Sequence, residues 1–246
     1  LKKLLQRKES KTFRALQIPD QGIDFFSNDY LGLSKVPTSN SKFEFNGSTG
    51  SRLLSGNSSI AEECESILAT HFDAESALVY GSGYVANLGL LSAILQRGDV
   101  VFYDQYVHAS SRDGIRLALA DSVSFKHNDV LDLENKLSQS KSDINYVLVE
   151  SLYSMDGDLA PLVEIASICA EYNAFLIVDE AHACGVYGDM GKGLCYQNKI
   201  LAQIFARVIT FGKAYGSHGA VILGSESLKE YLVNFSRSFI YSTALP

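Results

Sequence analysis

Phe175-Leu176-Ile177-Val178-Asp179-Glu180-Ala181-His182 is an apolar run that ends abruptly in two carboxylates and an imidazole. The run has the length of a buried strand, so it delivers Asp179 and His182 to one strand end. A second unit of the same kind follows. Residues 206–210 are strand-like, and Phe211-Gly212-Lys213 sets a lysine directly beyond them, with Ala214-Tyr215-Gly216 on its far side. Packing among glycines and aromatics disfavours the ammonium form, so this lysine is expected to release its proton more readily than a solvated one.

Outward from these two units, strand and helix signals alternate. Strands are expected at Ala77–Tyr80, Val100–Asp104, Ser122–Lys126, Tyr146–Glu150, Phe175–Asp179, Arg207–Phe211 and Gly219–Leu223. Helices are expected near 84–95, 109–119, 130–139 and 161–172. The alternation predicts an α/β fold, a mostly parallel central sheet with helices on both faces. Ligands of such sheets bind beyond the carboxyl ends of the strands, where Asp179, His182 and Lys213 all fall. Ser59-Ile60-Ala61-Glu62 reads as a capping box, so a further helix should run from about Ile60 to Phe72. Upstream, residues 1–17 suggest a peripheral amphipathic helix, and Gly22 to Leu33 a short strand leading into a loop. Residues 37–59 are rich in Gly, Ser, Asn and Thr, a composition that reads as a long functional loop.

The 246 residues accommodate one large domain, and the formal charge of −7 argues against general affinity for nucleic acid. No stretch approaches the length of a membrane span, and the N-terminus is too polar for a signal peptide. Cys64, Cys169, Cys184 and Cys195 show neither CxxC nor zinc-type spacing. Cys64 and Cys169 fall on the apolar faces of expected helices. The pattern fits a reducing cytoplasm, and no metal is expected. The abrupt stop at Tyr241-Ser242-Thr243-Ala244-Leu245-Pro246 suggests a piece of a longer protein.

Between the first strand and its helix lies Gly81-Ser82-Gly83-Tyr84, where the first amides of the helix can meet a phosphate. The same segment matches a loose dinucleotide fingerprint, Gly81-x-Gly83-x-x-Ala86, with Asp104 about 20 residues on. An NAD(P)-dependent dehydrogenase is therefore a rival from another reaction class, although it leaves Lys213 and His182 without a role. His108, just past the strand 100–104, is placed to stack on a planar cofactor. Ser154 sits in the turn-rich segment Ser151-Leu152-Tyr153-Ser154-Met155-Asp156-Gly157-Asp158 at the same sheet edge. Asp179-Glu180-Ala181-His182 also spells the acidic motif of some helicases. No G-x-x-x-x-G-K-[ST] loop precedes it, however. An acid, an imidazole and a lysine at neighbouring strand ends are the parts that a pyridoxal 5'-phosphate site needs.

Together these segments resemble the α-oxoamine synthases, pyridoxal phosphate enzymes of the aspartate-aminotransferase-like fold (fold type I). The likeness is carried by Ser27-Asn28-Asp29-Tyr30-Leu31-Gly32-Leu33, Gly47-Ser48-Thr49-Gly50-Ser51-Arg52, Ser82-Gly83-Tyr84 and His108-Ala109. It continues through Ser154-Met155-Asp156-Gly157-Asp158, Asp179-Glu180-Ala181-His182 and Thr210-Phe211-Gly212-Lys213. The resemblance implies that Lys213 carries the cofactor as a Schiff base, Asp179 pairs with its pyridine nitrogen, and His108 stacks on its ring and meets substrate. It implies that His182 and Ser154 contact the phenolic oxygen, and that Gly83, Tyr84 and Thr210 hold the phosphate. Thr243 would reach the phosphate of a neighbouring subunit in a homodimer, and Arg14 would contact the acyl substrate. The implied activity joins an amino acid, L-alanine, to an acyl thioester. The pimeloyl group on coenzyme A or a carrier protein is expected, on the route to biotin. Glycine-using and serine palmitoyltransferase-like members are the nearer alternatives. Cys184 and His218 depart from the residues usual in the family, on the substrate side. The resemblance divides the chain into an N-terminal helix and arm, 1–36, and a large cofactor-binding domain, 37–246. The family's C-terminal small domain would lie beyond Pro246, and without it the 246-residue piece is expected to be inactive.

Overall fold

The computed structural model describes residues 1–16, 18, 22–37 and 46–246. Two helices, α1 (Lys2–Glu9) and α2 (Ser59–His71), precede an alternating series. It runs β1 (Ser76–Tyr80), α3 (Gly83–Ile94), β2 (Val100–Asp104), α4 (Ala109–Leu117), β3 (Asp121–Phe125), α5 (Val130–Leu137) and β4 (Asn145–Glu150). It continues with α6 (Leu162–Glu171), β5 (Phe175–Asp179), α7 (Leu194–Gln197), β6 (Ile204–Thr210), β7 (Ala220–Gly224), α8 (Glu226–Phe235) and α9 (Arg237–Ile240). The strands form one seven-stranded sheet in the order β1-β7-β6-β5-β4-β2-β3. β7 runs antiparallel to both of its neighbours, and the other pairings are parallel.

Side chains alternate across the sheet with the two-residue period of a strand. Tyr146, Leu148 and Ile177 point to a core completed by α3, α8 and α9, through Leu90, Leu91, Leu232 and Phe239. Val147, Val149, Leu176 and Val178 point the other way, onto Leu133 and Leu137 of α5 and Ile165 and Cys169 of α6. Phe72 joins Ala77, Ile209, Val221 and Leu223 in a third cluster beside α2. A side chain as enclosed as Leu90, with no exposed surface, contributes about 2 kcal/mol of hydrophobic stabilisation. Both faces are covered, as the strand–helix alternation requires.

Several expectations are corrected. Gly22–Leu33 forms no strand. Asp24 Oδ1 takes the amides of Phe26 and Ser27 at 2.9 and 3.0 Å, and such local bonds compete with sheet pairing. The helix of the first 17 residues is confined to Lys2–Glu9 and buries none of its residues. α2 is capped one residue earlier than expected, with Ser58 Oγ accepting the Ala61 amide at 3.2 Å. Its inward position is taken by Glu65, bonded to Arg52 at 2.8 Å and to the Val79 amide at 3.0 Å, so Cys64 is turned outward and exposed. β6 begins three residues before the expected strand. α8 lies outside the expected helices, although Ser225 caps it by accepting the Leu228 amide at 3.1 Å. The stretch 38–45 of the expected loop lies outside the described residues. Among the described residues, no helix is long and apolar enough to cross a membrane, no group of His, Cys, Asp and Glu is arranged to hold a metal, and all four cysteines are free.

Candidate active site

Parallel strands β4 and β5 pair Glu150 with Asp179 at their carboxyl ends. The antiparallel hairpin of β6 and β7 adds the loop that carries Lys213. That loop is closed by the Phe211 amide on Gly219 O (2.9 Å), the Ser217 amide on Phe211 O (2.8 Å) and the Gly216 amide on Lys213 O (2.9 Å). Gly216 and Gly219 have φ of +57° and +102°, values that L side chains rarely adopt. A Cβ on Gly216 would also strike the Ser34 amide. Glycine there lets the arm lie against the lysine loop.

A cavity of about 290 Å³ opens over these strand ends. Lys213, Asp179, His182, His108, Thr210, Gly83 and Tyr84 all line it, together with Asn87, Ser110, Glu150 and Asn28. Seven of the expected site residues, drawn from four separate segments, therefore meet in one place. At its edge α3 begins. Ser82 Oγ takes the Val85 amide (3.3 Å) and Ser82 O the Ala86 amide (2.9 Å). Among the described residues this leaves the amides of Gly83 and Tyr84 free for an anion. Thr210 Oγ1 lies 3.3 Å from Ala181 O, to which it donates, and Tyr84 Oη donates to Asp113 at 2.5 Å.

The carboxylate of Asp179 is held at both oxygens. Oδ1 accepts the Ala181 amide at 2.9 Å and Oδ2 accepts Asn87 Nδ2 at 2.8 Å. Burial holds Lys213 below the ordinary lysine range, against the opposing pull of Asp179 and Glu150. His182 is pushed down to about 4, first by burial and then by the nearby Lys213 charge. Its Nδ1 lies 2.7 Å from Tyr30 Oη, which fastens the arm to the site. Glu150 moves the other way, up to about 8, because it is buried and faces Asp179. Its Oε1 accepts the His108 amide at 2.5 Å. Near neutral pH the site thus offers a lysine disposed to lose its proton, a neutral imidazole and a protonated second acid.

Three expected residues stand apart. Ser154 is exposed at the tip of a turn closed by the Leu152–Leu159 bridge, and it lines a separate cavity with Tyr106 and Arg112. Ser154 is not among the residues that line the cavity of Lys213 and His182. Thr243 lines an apolar cavity with Arg52, Tyr80 and Phe239. Arg14 lines an open surface pocket with Lys3, Arg7 and Phe13 in the N-terminal segment. Conversely, Asn87, Ser110 and Glu150 line the cavity and Tyr30 bonds to His182, although none of the four is an expected site residue. The signal for Asn87 was an amide inside the apolar run of α3, since such a group is costly to bury unless bonded. Glu150 gave the same signal at the end of Tyr146–Val149. Asp104, the expected ribose acid of the dehydrogenase reading, is wholly buried and engaged by His127 (3.0 Å) and the amides of Tyr106 and Asn128. It is closed to a ribose.

The profile of the aminotransferase class I and II family matches residues 20–246. An 8-amino-7-oxononanoate synthase of Emericella nidulans is 40% identical over 273 residues, covering 100% of this chain and 66% of its own length. Among solved structures, the 8-amino-7-oxononanoate synthase of Francisella tularensis superposes with a TM-score of 0.76 at 32% identity, over 93% of this chain and 66% of that one. A serine palmitoyltransferase of S. paucimobilis with a bound PLP–myriocin aldimine gives 0.79 at 34% identity, over 81% of this chain and 50% of that one. The chain therefore spans between half and two thirds of the length of these relatives.

Proposed function

The chain belongs to the aminotransferase class I and II family, and from that premise we propose that it forms the pyridoxal phosphate-holding part of an α-oxoamine synthase. The reaction proposed for the whole protein condenses L-alanine with a pimeloyl thioester. It releases carbon dioxide and the thiol carrier and gives 8-amino-7-oxononanoate. The observation that carries this reading is the convergence of Lys213, Asp179, His182 and His108 on one cavity, at whose edge the free amides of α3 lie.

The residues present fit the cofactor. Gly83 stands where any Cβ would collide with the Thr210 side chain, so α3 and Thr210 form a close cradle suited to a phosphate. Asp179, doubly anchored, is suited to a pyridinium nitrogen, and His108 to the face of a ring. When bound, pyridoxal phosphate supplies an electron sink for a carbanion. Lys213 would hold the cofactor and, as an amine of lowered proton affinity, would act as general base at the amino acid's Cα; it would return that proton to Cα only after the new carbon–carbon bond has formed and the carboxylate has left as carbon dioxide. His182, neutral over the working range, hydrogen-bonds the ring's phenolic oxygen. Glu150 fixes the backbone of His108. Residues 1–36 act as an arm over the domain 37–246. Thr243 and Arg14, which lie away from Lys213, are assigned to a homodimer's second phosphate contact and to the acyl substrate. The carrier of the acyl group is coenzyme A or an acyl carrier protein, and the enzyme works in the cytoplasm.

The decisive experiment supplies full-length protein with L-alanine, glycine or L-serine and then with acyl thioesters of increasing length. Ketone product and thiol release are expected with L-alanine and the pimeloyl thioester, and Lys213→Ala is expected to abolish both. Activity confined to L-serine with a long acyl chain would move the substrate to the serine palmitoyltransferase side, a direction favoured by the similar TM-score of that structure. Absorbance of a lysine-bound cofactor that survives Lys213→Ala would overturn the reading altogether.

A further inference from the structure

Four side chains lining the cavity are joined by hydrogen bonds whose directions are dictated by their chemistry. Asp179 Oδ2 accepts, so the Asn87 atom 2.8 Å away is its amide nitrogen. The second proton of that nitrogen goes to Ser110 Oγ at 3.0 Å. The hydroxyl proton of Ser110 is then left for His108 Nδ1 at 2.7 Å, and the Ser110 amide points at the same nitrogen from 3.2 Å. Two donors converge on Nδ1, so the ring's N–H is carried by Nε2. Asn87 and Ser110 are 3% and 1% exposed, which keeps solvent from competing for these bonds. Asn87 Oδ1, by contrast, is buried with no partner among the described residues. Burying an amide at the cost of an idle acceptor is poor core design. Its nitrogen is what the site uses.

We propose that Asn87 and Ser110 are positioning residues that lock His108 in its Nε2–H tautomer and tie it to the orientation of Asp179. One amide nitrogen serves both ends of the relay, so rotating Asn87 releases the acid and the imidazole together. The backbone of His108 is held separately by Glu150, and the relay therefore governs the ring and not the loop. The consequence for the cofactor rests on the reading of the preceding subsection, whereas the tautomer rests on the bonds alone.

Long-range proton–nitrogen spectra of the imidazoles test the relay in full-length protein free of cofactor, with His108→Gln assigning the resonance. A single Nε2–H tautomer is expected for His108, and Asn87→Ala and Ser110→Ala are each expected to admit the Nδ1–H form. On titration with pyridoxal phosphate both variants should bind on the order of tenfold more weakly, and the pH midpoint of the lysine-bound cofactor's absorbance should shift. An Nδ1–H tautomer in the unmodified protein overturns the proposal, as does an unchanged tautomer in both variants. Unchanged affinity and pH midpoint overturn the positioning role even if the tautomer is as expected. Should Asn87→Ala fail to fold, the unmodified protein and Ser110→Ala still decide. Absence of any cofactor binding by the unmodified protein would count against the proposed function and leave the tautomer result standing.

Discussion

Gly83 and Thr210 come from opposite ends of the alternating series and meet at the cavity edge with no room for a methyl group between them. Gly83 does not use a left-handed backbone, so its glycine is a matter of space. Gly83→Ala is expected to force α3 and Thr210 apart at an overpacking cost of about 1–3 kcal/mol. The loss should fall on phosphate recognition, so pyridoxal phosphate should weaken more than unphosphorylated pyridoxal when both are titrated. Equal weakening of the two would mean that the cradle does not hold the phosphate. Asp179, His182 and Lys213 could be picked out residue by residue because each ends an apolar run. Asn87 could not be assigned a role in that way, because its partners Asp179 and Ser110 come from other segments.

Asp179-Glu180-Ala181-His182 divides its labour once it is seen as an element. Asp179 and His182 face the cavity, whereas Glu180 is wholly buried on the other side of the turn. Its Oε1 accepts the amides of Leu194 (2.7 Å) and Cys195 (3.0 Å), and its Oε2 pairs with Arg207 at 2.7 Å. Arg207 in turn donates to Phe72 O (3.0 Å) and Lys192 O (2.6 Å). This pair pins α7 and the loop before it onto β5 and β6, the two strands that lead to Asp179 and Lys213. Removing one partner of a buried, fully bonded pair costs about 3–5 kcal/mol. Glu180→Ala should therefore lower the urea midpoint by a corresponding amount while the absorbance of bound cofactor in the remaining folded protein is unchanged. A loss near zero would show that the loop is held by packing alone.

At the scale of the whole molecule, two buried titrating groups set opposite pH responses. His182 has a folded value near 4, below its ordinary 6.5, so its contribution is intact above about 6.5 and is lost as pH falls towards 4. Glu150 has a folded value near 8, above its ordinary 4.5, so its contribution is intact below about 4.5 and is lost as pH rises towards 8. Denaturation of the protein and of Glu150→Gln, compared between about pH 5 and pH 8, should show the unmodified protein losing ground to its variant as pH rises. A difference that stays constant with pH would refute the shift. The parallel sheet, its two apolar faces and the carboxyl-end location of the site were all legible in the alternation of segments. Residues 22–33 carry the pattern of a strand start but form none, because the Asp24 turn that competes with pairing leaves no distinct pattern in the sequence. Ser154 lines a different cavity from His182, and a turn's position in sequence does not say which way it projects.

The sequence by itself determined the kind of chemistry, because a carboxylate, an imidazole and a lysine can each be traced to the end of an apolar strand, where a parallel sheet must present them. It also marked the start of α3, through the glycines before it, as a place suited to an anion. Only the tertiary structure decided which polar groups act together. Asn87, Ser110, Glu150 and Tyr30 acquire their partners across segments far apart in the chain, and hydrogen bonds leave no period in a sequence. Hydrophobic burial does leave one. That is why the scaffold was readable in advance and the wiring of the site was not.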